Sequence, residues 1–293
     1  MLITETLPIV SDLPAEPPNA YVEAMVKRAG TSFYWAMRSL KIERRRGVFA
    51  VYGFCRDVDD IADGDLPLDK KRVLLELWRT EIKEIFDGTP SHPISRALVD
   101  PVRTFELREA DFIAVIDGME MDAYPRVRIQ DMAELELYCD RVACAVGRLC
   151  VRIFGLRENE GVKLSASLGA ALQLTNILRD IVEDAARDRV YLPADLLGRA
   201  DAKSDQITDV LAAPGLADLC AGLAGRAEQH FKDAARIIQH ADPKAARPAH
   251  MMMQVYYRIF QKLQKRGWHD LERDVRPSKF EKMALALRYG IFG

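Results

Sequence analysis

Two stretches of this chain set carboxylates about one helical turn apart. The first is VYGFCRDVDDIADGD, Val51 to Asp65, which holds Asp57, Asp59, Asp60, Asp63 and Asp65. At about 100° of rotation per residue, Phe49, Tyr52, Arg56, Asp59, Asp60 and Asp63 share one side of a helix over 47–63. Val48, Val51, Phe54, Cys55 and Val58 form the other side, which can bury. Asp63 stands just before Gly64 at the expected C-terminus, where the helix dipole disfavours an anion, so acids there want a cation. The second stretch is SLGAALQLTNILRDIVEDAARDRVYLP, Ser167 to Pro193. In it Gln173, Asn176, Asp180 and Asp184 follow at spacings of three, four and four on an otherwise apolar helix. A carboxylate row turned inward without counter-charge is costly, and a divalent cation resolves the cost.

Two such rows on separate helices can flank one cavity and hold Mg²⁺, with Mn²⁺ as the alternative. Mg²⁺ takes carboxylates, keeps waters and completes its octahedron with substrate phosphates. The matching chemistry is ionisation of a diphosphate ester: metal and cationic side chains neutralise the leaving diphosphate while apolar walls keep water from a carbocation. Arg56, Arg179 and Arg189 lie beside the rows and suit a diphosphate clamp. Either row alone reads more readily as a solvated helix face. Two matched rows, each with an adjacent arginine and an apolar flank, do not. The spacing of a calcium-binding EF-hand loop is absent.

The elements that must position these rows are helices. Apolar residues recur at intervals of three and four from Tyr21 onward, with breaks at 64–70, 87–93, 123–128, 154–159, 192–205, 212–215, 241–248 and 275–279. They delimit about eight to ten helical segments without an alternating β run, so an all-α fold is expected, as one large domain over 21–293 with a central cavity. Residues 1–20 hold four prolines and read as a poorly ordered arm.

Composition removes other classes. With 42 basic and 44 acidic residues the chain has no overall field for nucleic acid. Five cysteines without a CxxC pair fit a reduced compartment, and five scattered histidines offer no zinc spacing. No secretory leader and no apolar run of about 18 residues is apparent, which points to a cytoplasmic protein, at most peripheral at the inner membrane.

On these residues the sequence resembles the squalene/phytoene synthase family, whose members join two prenyl diphosphates head to head. The resemblance runs from about Gly30 to Arg288 and is carried by GTSFYWA (30–36), YGFCRDVDDIAD (52–63), GMEMD (118–122), YCDRVACAVG (138–147) and LQLTNILRDIVEDAARDRVYLP (172–193). It implies an all-α isoprenoid synthase fold with the two aspartate motifs facing each other across a cavity. Carried over by position, Asp59, Asp60 and Asp63 belong to the first motif and Asp180, Glu183 and Asp184 to the second. Among these, Asp59, Asp63, Asp180, Glu183 and Asp184, with Asn176, are the implied metal ligands. Ser32, Phe33, Tyr52, Arg56, Gln173, Asn176, Arg179, Arg189, Tyr256 and Arg273 match substrate positions, and Tyr138 matches a central catalytic tyrosine. The overall look is most similar to the bacterial presqualene diphosphate synthases of the hopanoid pathway. That implies prenyl diphosphates as small-molecule partners, contact with downstream pathway enzymes, and no NADPH. Phytoene synthesis from C20 substrate and NADPH-dependent squalene synthesis are the alternatives. A relative that had lost chemistry and become an assembly protein would show decayed acid rows, and both rows are complete here.

Smaller readings remain two-sided. Gly169 and Ala166 could leave room for a prenyl chain or allow close helix contact. Phe49 and Met37 could floor a pocket or fill the core. Met251, Met252 and Met253 read as adaptable core. The basic tail from Arg273 to Phe292 reads as a solvated helix face or a lipid contact. Tyr138 and Tyr256 could steer proton removal or be hydrogen-bonded core tyrosines.

Overall fold

Prolines and short polar caps start many of the helices. The computed structural model describes residues 17–30, 34–38, 40–273 and 275. The first helix, α1 (Pro18–Ala29), opens on Pro18, whose fixed φ suits the first helical position, so the helical part begins three residues before Tyr21. The short α2 (Tyr34–Arg38) precedes α3 (Ile42–Asp63), which carries the first acid row and ends just before Gly64. Then come α4 (Leu68–Asp87), α5 (Pro93–Phe105) and α6 (Glu109–Asp122), which with α1 pack around α3. Phe54 of α3, fully buried, meets Trp78 and Phe112 edge to face at 5.3 Å each.

A two-residue strand, β1 (Val127–Arg128), leads to α7 (Met132–Cys139). Its N-terminus is a reciprocal cap: Asp131 accepts from the Glu134 amide, and Glu134 accepts from the Gln130 amide. The helix widens into a π turn (Asp140–Cys144) and continues as α8 (Ala145–Phe154). The long α9 (Glu158–Ala185) carries the second row and is followed by β2 (Arg189–Val190). The chain goes on through α10 (Ala194–Arg199), α11 (Ile207–Leu211), α12 (Leu216–His240) and α13 (Pro243–Arg266). Helices α8, α12 and α13 and the π turn pack on α9.

The fold is all-α, with refinements that the period could not show. Thirteen α-helices lie among the described residues, more than the eight to ten expected, because α2, α10 and α11 have only five or six residues each. The expected break at 241–248 shrinks to Ala241 and Asp242. Asp242 caps α13 by accepting from Lys244 and Ala245 amides, and Pro248 is absorbed within the helix. The strands form one parallel bridge, Val127 with Arg189 and Arg128 with Val190, which ties the end of α9 to the segment after α6.

The π turn is held between two glycines. A Cβ on Gly118 of α6 would fall 2.6 Å from Val142, and one on Gly169 of α9 would fall 2.8 Å from the Cys144 backbone. Gly169 is therefore a site of close helix approach. Phe49 and Met37 are buried core residues.

Candidate active site

The π turn, α8, α9 and α13 enclose an apolar cavity of about 190 Å³. Phe154 and Leu164 line one end, at the α8–α9 turn, while Gln173, Asn176 and Tyr256 bring polar atoms to the other. Met252 lines the wall, so the Met251–Met253 run is not core alone. Asn176 donates to the Gln173 side-chain oxygen at 3.4 Å, and its own Oδ1 is buried without a hydrogen-bond partner. Beyond Asn176, α9 continues at one-turn steps to Asp180 and Asp184. The second acid row thus extends the polar end of the cavity.

Long-range ion pairs bring the first row to the same place. Arg187 and Arg189, in the turn after α9 and on β2, reach Asp63 at 3.0 and 2.7 Å. Arg189 also donates to the Asp122 backbone oxygen at 3.0 Å, and its charge acts on Asp59, Asp122 and Asp184. It is the cation shared by both rows.

The acids differ in how they are compensated. Burial and the nearby Asp63 charge push Asp59 up to about 6, against the pull of Arg56 and Arg189. Burial and the Asp180 charge push Asp184 up to about 7. Asp63 goes the other way: burial opposes its ionisation, but hydrogen bonds and charge from Arg189 and Arg187 bring it below the ordinary aspartate value. Asp60 is paired one turn back with Arg56 at 2.6 Å, and the same arginine stands 3.7 Å from Asp59. Asp180 is gripped by Arg179 at 2.8 and 2.5 Å. Burial works against the Arg179 charge, but Asp180 and the Tyr256 hydroxyl hold it, so its pKa is raised.

A further carboxylate joins the site without a local pattern to mark it in the sequence. Asp122, at the end of α6, is 7% exposed and accepts from the Tyr138 and Tyr191 hydroxyls at 2.9 and 2.6 Å. Burial pushes it up to about 6, although both hydroxyls favour its charged form. The two tyrosine rings stack at 4.8 Å. Tyr138 is thus a buried donor, and burial with the Asp122 charge raises its hydroxyl well above the ordinary tyrosine value. As placed, it keeps its proton. The closing acid of GMEMD was the signal available for Asp122; Arg187 and Tyr191 had none beyond their place in the second motif.

The remaining candidates are placed as follows. Tyr52 is half-buried on α3, one turn before Arg56, and burial raises its hydroxyl. Glu183 is exposed on α9, and its charge acts on the neighbouring Asp184. Arg273 is exposed, its carbonyl accepting from Arg266 at 3.4 Å, and it does not line the cavity. Ser32, Phe33 and the tail beyond 275 lie outside the described residues.

Among the described residues no cluster of three or more acidic, histidine or cysteine side chains already forms a metal cage. The donor chemistry nevertheless fits a hard divalent cation. Asn176 presents an orphaned buried oxygen, and Asp59 and Asp184 are acids whose surroundings leave their charge undercompensated.

A sequence profile described as squalene/phytoene synthase matches residues 26–281. The chain belongs to the squalene/phytoene synthase family. Within that family it is 45% identical over 262 residues to presqualene diphosphate synthase of Rhodopseudomonas palustris, covering 89% of this chain and 94% of that one. To phytoene synthase of Mycobacterium tuberculosis it is 36% identical over 239 residues, covering 80% and 78%. A crystal structure of a dehydrosqualene synthase in complex with ligand superposes with a TM-score of 0.79 at 27% identity, covering 93% of this chain and 95% of that one.

Proposed function

We propose that this family member is a presqualene diphosphate synthase, joining two C15 prenyl diphosphates into a C30 cyclopropyl diphosphate. The observation that carries the reading is that two acid rows meet, through Arg189 and Asp63, at the polar end of an apolar cavity. The relative from Rhodopseudomonas palustris supports the C15 assignment over C20.

Asp59, Asp63, Asn176, Asp180, Glu183 and Asp184 would hold Mg²⁺, or Mn²⁺ in its place, which when bound neutralises a leaving diphosphate. The chain's own residues do the rest. Arg179, Arg189 and Arg56 offer guanidinium groups to the diphosphate oxygens, and Gln173 and Asn176 orient its approach. The allylic C–O bond breaks with its electron pair going to the diphosphate. The double bond of the second substrate attacks the allyl cation, and loss of one proton closes the cyclopropane. The apolar wall, including Val146, Leu168, Leu172 and Met252, excludes the water that would quench the cation. Asp122 fixes Tyr138 and Tyr191, and Arg189 rests on the Asp122 carbonyl, so this buried group positions the shared cation. The product keeps one diphosphate, and stopping there requires that it leave before that group is aligned for ionisation. We further propose that residues 21–293 act as one catalytic domain in the cytoplasm and that NADPH plays no part.

Purified protein incubated with Mg²⁺ and labelled C15 or C20 diphosphate, with and without NADPH, tests this by mass spectrometry of the products. The expected product is the C30 cyclopropyl diphosphate from C15, unchanged by NADPH. Squalene formed with NADPH would assign the reductive reaction, and efficient phytoene formation from C20 would assign the phytoene reaction.

A further inference from the structure

The charge of this molecule is unevenly distributed. Residues 27–46 hold seven basic residues, Lys27, Arg28, Arg38, Lys41, Arg44, Arg45 and Arg46, against Glu43 alone, in a chain whose net charge is −2. They lie on the last turn of α1, on α2, and on the cap residue and first turns of α3. These elements meet in space. Glu23 of α1 pairs with Lys27 at 3.0 Å, and Lys27, Arg45 and Arg38 together hold its carboxyl below the ordinary value. Arg45 also donates to the Arg38 carbonyl at 3.3 Å. Lys27, Arg28, Arg38, Lys41 and Arg46 are exposed, and in their midst Ile42, the first residue of α3, is 49% exposed.

This patch and the acid site sit at opposite ends of one helix. The 22 residues of α3 span about 33 Å from Ile42 to Asp63. The basic end is also the apolar end of the cavity. Arg44 donates to the carbonyl of Phe154, the residue that lines the cavity where α8 stops, at 2.8 Å.

We propose that the exposed cations of α1, α2 and α3, with Ile42 as an apolar foot, are a docking surface for anionic phospholipid. Two features select lipid. An isolated exposed isoleucine among cations suits the boundary between headgroups and acyl chains, where apolar burial and charge attraction add. The acid rows, repelled by an anionic surface, point away from it, which leaves the apolar end of the cavity nearest the bilayer. The surface is independent of which prenyl substrate the enzyme uses.

The test is vesicle co-sedimentation of the full chain with phosphatidylcholine alone and with an equimolar mixture of phosphatidylcholine and phosphatidylglycerol, alongside turnover in detergent. Wild type should bind only the mixed vesicles and be released by high salt. The triple substitution Arg28→Ala, Lys41→Ala, Arg46→Ala should lower partitioning about a hundredfold, at about 1 kcal/mol per cation near the surface. Ile42→Ser should lower it about fivefold while leaving the salt dependence intact. Both variants should keep wild-type turnover in detergent, which also reports that they fold. Equal binding to neutral vesicles, or a triple variant that binds as well as wild type, would overturn the proposal. So would displacement by short duplex DNA with indifference to Ile42→Ser, which would make the patch a nucleic-acid surface. Loss of the C15 reaction in wild type would count against the proposed function and leave the vesicle result standing.

Discussion

The two acid rows look alike in sequence, and the structure compensates them differently. Asp63 of the first row is neutralised across the molecule, by arginines 124 and 126 positions away. Asp180 of the second row is neutralised by its own neighbour, Arg179. Each row then keeps one acid whose charge is poorly compensated, Asp59 at about 6 and Asp184 at about 7. A repeated motif therefore supplies donors, but the partners of each donor decide which are already satisfied and which still need a cation. The first row takes its cations from across the molecule; the second takes its nearest cation from within α9, with Tyr256 of α13 helping to hold it.

Breaking either row should have the largest effect. Asp63→Asn, Asp180→Asn and Asp184→Asn should each lower kcat by about a hundredfold or more, as loss of a charge-stabilising group at a leaving diphosphate does. Circular dichroism should stay helical; in Asp184→Asn the change also relieves repulsion from Asp180. Near wild-type kcat in Asp184→Asn would remove the second row from the chemistry.

The arginines sharpen the contrast. Arg179→Ala should cost about tenfold to a hundredfold in kcat, because this guanidinium is held by Asp180 and Tyr256 at the polar end of the cavity. Arg187→Ala should cost only about threefold to fivefold, since Arg187 is half exposed and Arg189 still holds Asp63. Equal losses in the two variants, measured side by side, would contradict the division between a local and a long-range cation.

The smallest expected effect is on stability. Asp59, Asp122 and Asp184 have raised values, so between about pH 4 and 7 the folded state holds protons that the unfolded chain has released. Their contribution is fully present below the unfolded value and lost as pH rises through about 6 to 7. Asp63 is lowered and keeps its contribution across this window. Thermal unfolding of metal-free protein should therefore show a falling Tm from pH 5 to 8. Asp184→Asn should flatten that slope and gain about 1–2 kcal/mol at pH 8, after allowance for water at the site. A Tm that rises over this range in wild type would reverse the sign.

The rows were legible because a helix writes its faces at spacings of three and four, and both acid patterns lie on long helices. The same period revealed the all-α fold. Asp122 stayed hidden as a site residue because its partners Tyr138 and Tyr191 lie 16 and 69 positions away, and no local pattern links them. Arg187 is hidden for the same reason, 124 positions from Asp63. The π turn leaves no period in five residues, and only Gly118 and Gly169, on other helices, mark the space it occupies. Arg273 rests on resemblance alone, and it is exposed and not among the residues that line the cavity.

The central claim is that the two rows form one site for a metal-bound diphosphate. A crystal structure with Mn²⁺ and an unreactive thio-analogue of the C15 diphosphate, with the ions located by anomalous scattering, tests it most directly. The account predicts manganese bound from both sides, by Asp59 or Asp63 of α3 and by Asn176, Asp180 or Asp184 of α9, with the diphosphate between them and the prenyl chain running toward Phe154. Manganese confined to one row, or a diphosphate seated away from Arg179 and Arg189, would contradict it.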